Sequence, residues 1–209
     1  MFSFINKREN VMKKVVLACL IAVFTIANAN ANNNYLRLGT GFSRGTINSK
    51  FDGALTPFNI EDKENAFPTF TLGIGREYKN LDLSANFKYA DYDIDSNTDF
   101  TVSTVSFDAN YLFKNSSIFT PYAGVGLNVN KFDVKIDDLK ADKTSTSFAF
   151  RIGTRAELDK NIMLDFNIQQ TTKGDCFNET VYINNASNIG NFKGKYKDLS
   201  FNIGLLFRF

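Results

Sequence analysis

From Tyr35 to its last residue, Phe209, the chain places an apolar side chain at every second position in eight separate segments. That period confines it to β-structure, because alternate residues of a strand point to opposite faces. The segments are 35–43 (Leu36, Leu38, Phe42), 67–78 (Phe70, Leu72, Ile74), 81–89 (Leu81, Leu83, Ala85, Phe87, Tyr89) and 100–113 (Val105, Phe107, Ala109, Tyr111, Phe113). They continue as 119–130 (Pro121, Ala123, Val125, Leu127, Val129), 147–158 (Phe148, Phe150, Ile152, Ala156), 162–170 (Ile162, Leu164, Phe166, Ile168) and 198–209 (Leu199, Phe201, Ile203, Leu205, Phe207, Phe209). The opposite faces carry Arg37, Glu77, Asp82, Lys88, Asp108, Arg151, Arg155, Glu157, Asp165 and Arg208, with Ser, Asn and Gly between them.

Alternation alone fits two architectures. In a soluble sandwich or ligand-binding barrel the apolar face is the core. In a membrane barrel the apolar face meets lipid and the charges line the lumen. The connections separate the two. Those after the second, fourth and sixth segments are short, at 79–80, 114–118 and 159–161, while the other four are longer and two exceed twenty residues. Strict alternation of short and long connections puts all the short turns at one end of a meander, as in outer-membrane barrels. Each segment also approaches the roughly 9–11 residues that a tilted strand needs to cross a bilayer. The fold class expected is therefore all-β: an eight-stranded antiparallel up-and-down transmembrane β-barrel. Its first and last strands must pair, since an open sheet edge has no hydrogen-bonding partner in lipid. Tyr78, Tyr89, Tyr111 and Phe113 lie near segment ends and are candidates for interfacial aromatic girdles.

The N-terminus reads as an export signal. Lys13 and Lys14 precede an apolar run, Val15 to Ile26, and the small-residue series Ala27-Asn28-Ala29-Asn30-Ala31 follows, which is the layout of a cleaved secretory segment. Met12 is the more natural start than Met1. Residues 1–31 form the upstream and signal region and 32–209 the barrel domain. Cleavage after Ala31 removes Lys7, Arg8, Lys13, Lys14 and Glu9 and takes the formal charge from +2 to −1, so bulk charge makes no case for nucleic acid. It leaves one cysteine, Cys176, which excludes an internal disulfide.

The run Thr120-Pro121-Tyr122-Ala123-Gly124-Val125-Gly126-Leu127, with a last strand that ends in Phe209, resembles the small outer-membrane barrels of the opacity-protein and surface-antigen kind and the N-terminal barrel of OmpA-type proteins. The resemblance implies eight-stranded barrels that serve as surface antigens, adhesins or envelope-stabilising proteins at the bacterial cell surface. The pattern of Phe201, Phe207 and Phe209 likewise resembles the C-terminal assembly signal of such proteins, which implies recognition by the outer-membrane insertion machinery.

For chemistry the strongest feature is negative. The chain has no histidine, which excludes Ser-His-acid, Cys-His and His-ligated metal arrangements together. No enzyme activity, cofactor or metal site is expected. Asp137 and Asp138, with Asp133 and Asp142, are interleaved with Lys131, Lys135, Lys140 and Lys143 and read as a solvated loop. The informative constellation is internal. Arg37, Arg151, Arg155 and Arg208 with Glu77, Asp82, Asp108, Glu157 and Asp165 are expected to form an ion-pair network filling a lumen that eight strands make just wide enough for side chains. The long connections at 44–66 and 171–197 carry Phe51, Phe58, Phe177, Tyr182, Phe192 and Tyr196, candidates for a partner surface. The expected partners are outer-membrane lipid, the insertion machinery and a host-cell protein. A structural envelope protein without a specific ligand and a narrow pore remain alternatives.

Overall fold

The computed structural model describes residues 33–53, 59–61, 66–95, 98–136, 139–183 and 187–209, with side chains for 33–46, 67–91, 101–133, 142–174 and 194–209. Ten strands run through them: β1 Asn34–Gly53, β2 Asn59–Glu61, β3 Ala66–Tyr78, β4 Leu81–Asp95, β5 Thr98–Leu112, β6 Phe119–Ile136, β7 Leu139–Asp159, β8 Ile162–Thr171, β9 Gly174–Ile183 and β10 Ser187–Arg208. Neighbours pair in the order β2-β1-β3-β4-β5-β6-β7-β8-β10-β9, and β1 pairs with β10. Eight strands thus close into an antiparallel up-and-down barrel, while β2 and β9 are short additions at one end. The closing ladder runs from Tyr35↔Arg208 to Gly53↔Gly190.

The burial pattern is that of a soluble protein turned inside out. Leu36, Leu38 and Phe42 on β1, Phe70 and Leu72 on β3, Phe148, Phe150 and Ile152 on β7, and Phe201, Ile203 and Leu205 on β10 all lie on the exposed outer wall. Arg37, Asp82, Asp108, Arg151, Arg155 and Asp165 are buried within. Lipid accounts for this arrangement, since an apolar outer wall costs nothing in hydrocarbon and a polar interior keeps charges away from it. Tyr78, Tyr89, Tyr111 and Phe113 are all exposed, and the last two meet edge to face at 5.2 Å.

Three tight turns join β3 to β4, β5 to β6 and β7 to β8. In the first, Lys79 adopts a left-handed φ of 53°, a region that disfavours side chains with a Cβ. Asn80 ties this turn to the next strand: its Nδ2 donates to Leu112 O at 3.0 Å, and its carbonyl accepts from Leu112 N at 2.7 Å.

At the opposite end the strands outrun their apolar segments. β1 continues ten residues past Ser43, β4 to Asp95, β7 begins at Leu139 and β10 at Ser187. Much of what reads in the sequence as long connections is therefore paired strand. The reason is physical. Beyond the lipid both faces of a hairpin meet water, so no apolar period marks the strand, although its backbone ladder continues.

Candidate functional site

Arg155 on β7 occupies the centre of the lumen. Its guanidinium carbon lies 5.1 Å from the ring centroid of Tyr35 on β1 and 5.3 Å from that of Tyr122 on β6. The same guanidinium donates to Glu77 Oε1 at 2.7 Å and Asp82 Oδ2 at 2.6 Å, and it approaches Asp165 Oδ1 at 3.5 Å. The acids have further partners. Asp82 accepts from the Tyr35 hydroxyl at 2.7 Å and from Asn110 at 2.8 Å; Asp165 accepts from the Tyr122 hydroxyl at 3.0 Å and from Asn167 at 2.8 Å. Arg37 reaches Asp165 at 3.5 Å. The wall makes room for the rings with glycine. A Cβ on Gly153 would lie 2.6 Å from the Tyr122 ring, and Gly75 sits against the Tyr35 ring in the same way.

Two further groups fill the lumen above this one. Arg151 pairs with Asp108 at 2.9 Å, and its Nη2 donates to Gln169 at 2.6 Å. Lys88 pairs with Asp198 at 2.6 Å and donates to Ser200 at 3.0 Å, and Ser43 also donates to Asp198. Buried cations and buried acids therefore pair off, which is what a charged interior inside a lipid wall requires. The Ser200–Lys88 contact has the make-up of a nucleophile beside a base. Ser200 is fully buried and Lys88 is held by Asp198, so no acyl substrate reaches it.

Apolar layers bound this polar column at both ends. Leu112, Met163 and Leu206 lie under it beside the short turns, all 1 % exposed or less. Ala90, Val102 and Phe132 lie above it on one hydrogen-bonded row, and Phe132 meets Tyr196 edge to face at 5.2 Å. Inside the column is a cavity of about 30 Å³ lined by Arg37, Asn86, Lys88, Arg151, Asp165 and Asn202. It is room for a few water molecules.

Seven of the nine lumen residues named from the sequence are buried in this column. Arg208 and Glu157 stand instead at the short-turn rim, 3.0 Å apart, with the Glu157 side chain 53 % exposed and Arg208 also touching Glu77 at 3.3 Å. Sequence reasoning placed Lys88 on the polar face but passed over Tyr35, Tyr122 and the partners of Lys88, which are Asp198, Ser43 and Ser200. Strand parity was the available signal, since Tyr35 shares a face with Arg37, Tyr122 lies between outward Pro121 and Ala123, and Asp198 shares a face with Arg208.

The loop candidates fare differently. Tyr196 is a correction: it belongs to β10, faces inward and is 5 % exposed against Phe132. An odd and an even residue of one strand cannot share a face, and Tyr196 has the parity of Asp198. The backbones of Phe51, Phe177, Tyr182 and Phe192 lie on β1, β9, β9 and β10, with Phe51 opposite Phe192 in register. Phe58, Asp137 and Asp138 and the export segment lie outside the described residues. No group of three acids or cysteines that could hold a metal occurs among the described residues.

A closed eight-stranded cylinder with a lipid-facing apolar wall and a paired polar lumen defines a transmembrane β-barrel of the bacterial outer membrane. Residues 16–209 match the family described as the outer membrane protein beta-barrel domain, and the chain belongs to that family. Among solved structures it is similar to Neisserial surface protein A, with 15 % identity, TM-score 0.57, and 86 % of this chain and 99 % of that one covered. It is also similar to OprG from Pseudomonas aeruginosa, with 13 % identity, TM-score 0.59 and coverages of 86 % and 97 %. The outer membrane protein AlkL in lipid bilayers matches at 16 % identity, TM-score 0.51 and coverages of 87 % and 94 %. At such identities the likeness is one of fold. No curated protein matches the sequence.

Proposed function

We propose that this barrel is a surface antigen and adhesin that holds a partner, for which a host-cell protein is the candidate, on the strand ends it raises beyond the outer leaflet. The observation that carries this reading is the β1–β10 ladder. It continues from Ser43↔Ser200, where the apolar wall ends, to Gly53↔Gly190. At about 3.3 Å per residue those ten residues are an ordered platform far longer than a turn needs to be. The packed, doubly capped lumen supports the same reading from the other side, because it leaves little room for transport. Phe201, Phe207 and Phe209 serve in this reading as the handle for the insertion machinery, on the strand that closes the cylinder. The lumen ion pairs serve as its internal brace.

The test is cell attachment by bacteria that express deletions of 54–58 and 175–193, each bridged by a short turn. The second range spares Thr171, Gly174 and Tyr196, which are buried parts of the barrel. Attachment should fall with one or both deletions while the barrel still inserts. Attachment that persists through both sinks the adhesin reading and leaves a structural envelope protein.

A further inference from the structure

At the short-turn end the outer wall steps from apolar side chain to cation, and the step recurs in every turn. Tyr78 is followed by Lys79 between β3 and β4, Phe113 by Lys114 between β5 and β6, and Leu158 by Asp159 and Lys160 between β7 and β8. Tyr78, Phe113 and Leu158 are exposed on the wall, and all three lysines are exposed beyond them. Each turn thus carries one lysine, one or two residues past its last outward apolar side chain.

Depth decides what these lysines meet. A strand advances about 3.3 Å per residue, so their backbones lie no more than about 7 Å beyond the wall. The headgroup layer of one leaflet is itself roughly 5–7 Å thick. The lysines therefore stand among lipid phosphates and short of the open periplasm. Lys79 is turned back toward that layer, with its Nζ 5.7 Å from the ring centroid of Tyr78, within cation–π reach. The turn asks for no lysine at this position, since its φ of 53° suits glycine or asparagine better.

Charge also singles out this end. Arg76, Lys79, Lys114, Lys160 and Arg208 stand against Glu157 and Asp159, a side-chain balance of +3 in a domain, residues 32–209, whose formal charge is −1. The two acids are engaged elsewhere. Glu157 pairs with Arg208 at 3.0 Å, and Asp159 Oδ1 accepts from the backbone N–H of Lys160 at 2.5 Å. Glu77, at the same level, is turned into the lumen against Arg155. Among the described residues none of the three turn lysines enters an ion pair.

We propose that this rim is a collar for anionic phospholipid of the periplasmic leaflet. Lys79, Lys114 and Lys160 hold the headgroup phosphates, and Tyr78, Phe113 and Leu158 rest on the acyl chains. Each lysine should favour an anionic headgroup over a zwitterionic one about fivefold, the equivalent of about 1 kcal/mol. The collar lies at the opposite end from the raised strands, so it does not depend on the adhesin reading.

The chain has no tryptophan, so one introduced indole reports its own lipid neighbours. Phe113→Trp sets this probe beside Lys114. Phe70→Trp sets it at the far end of the wall, where its register partners are Thr40 and Tyr89. The full chain carrying either probe is folded into bilayers of brominated phosphatidylglycerol with plain phosphatidylcholine, and into the converse mixture. The ratio of quenching gives the relative occupancy of the two lipids at the probe. At position 113 phosphatidylglycerol should be preferred about fivefold at low ionic strength, and less as salt screens the charges. Lys114→Arg should keep the preference, and Lys79→Gln with Lys114→Gln and Lys160→Gln should abolish it. Lys114→Gln alone, in an exposed turn, gives the same reading if the triple variant does not fold. At position 70 the two lipids should quench equally. Equal quenching at position 113 overturns the proposal. So does a preference of the same size at position 70, or one that survives the glutamine changes.

Discussion

At the scale of single residues the barrel depends on Arg155. Its charge lies within cation–π distance of the Tyr35 and Tyr122 rings and is shared among Glu77, Asp82 and Asp165, with the arginine side chain 1 % exposed. Removing one member of a buried ionic group strands the rest, at a typical cost of about 3–5 kcal/mol. Arg155→Ala should therefore lower unfolding stability in urea by about that much. Arg155→Lys should recover only a fraction, because a lysine cannot present the planar fork that meets two carboxylates at once. A double change, Arg155→Met with Asp82→Asn, should recover more than the lysine does, because Asp165 keeps Arg37 and Glu77 keeps Arg208 as partners. If Arg155→Ala unfolds at the same urea concentration as the parent, the brace is misassigned.

At the scale of elements, β10 shows how far periodicity carries. Its odd residues from Leu199 to Phe209 face outward and its even residues from Asp198 to Arg208 face inward. The two faces should respond oppositely to charge. Ile203→Arg, near the middle of the lipid-facing stretch, should cost about 2–4 kcal/mol, and Leu199→Arg near its outer end about 0–1 kcal/mol. Reversible unfolding from liposomes measures both. Loss of Phe209 should slow insertion more than it weakens the inserted barrel, since within the fold its backbone contributes one bond, N to Asn34 O at 3.0 Å. Equal effects on rate and stability would make it an ordinary strand end. Beyond Ser43 on β1 the period fades, with Arg44 exposed and Thr46 buried, and the sequence no longer reveals the strand.

At the scale of the whole molecule the lumen is a closed column. Leu112, Met163 and Leu206 cap one end and Phe132 with Tyr196 the other, so purified protein in planar bilayers should show no steady conductance. Tyr196→Ala with Phe132→Ala opens one cap only and should leave the membrane silent. Steady large currents from the parent would return the pore reading. Orientation is testable by trypsin. Lys79, Lys114 and Lys160 sit in the short turns, which face the periplasm. On intact cells they should resist cleavage and yield once the outer membrane is permeabilised, while cleavage at Lys195 or Lys197 should not need that step.

By itself the sequence determined the element type, the number of strands that close the barrel, which residues face lipid and where the short turns lie. All of these follow from local rules, the two-residue period and the length of each connection. It also placed seven of the buried charges on the lumen face, because parity is a property of one strand at a time, while Asp198 was passed over and Arg208 and Glu157 stand at the rim. Which acid meets which arginine was settled only by closure, since the ladders and the shear of the cylinder bring Glu77, Asp82 and Asp165 to one guanidinium. Closure likewise turned Tyr196 from a supposed loop contact into part of a cap. Where the β3–β4 and β7–β8 ladders end was invisible in the sequence for the same reason: which neighbour a strand keeps, and how far, is a relation between distant segments in water that no local period records.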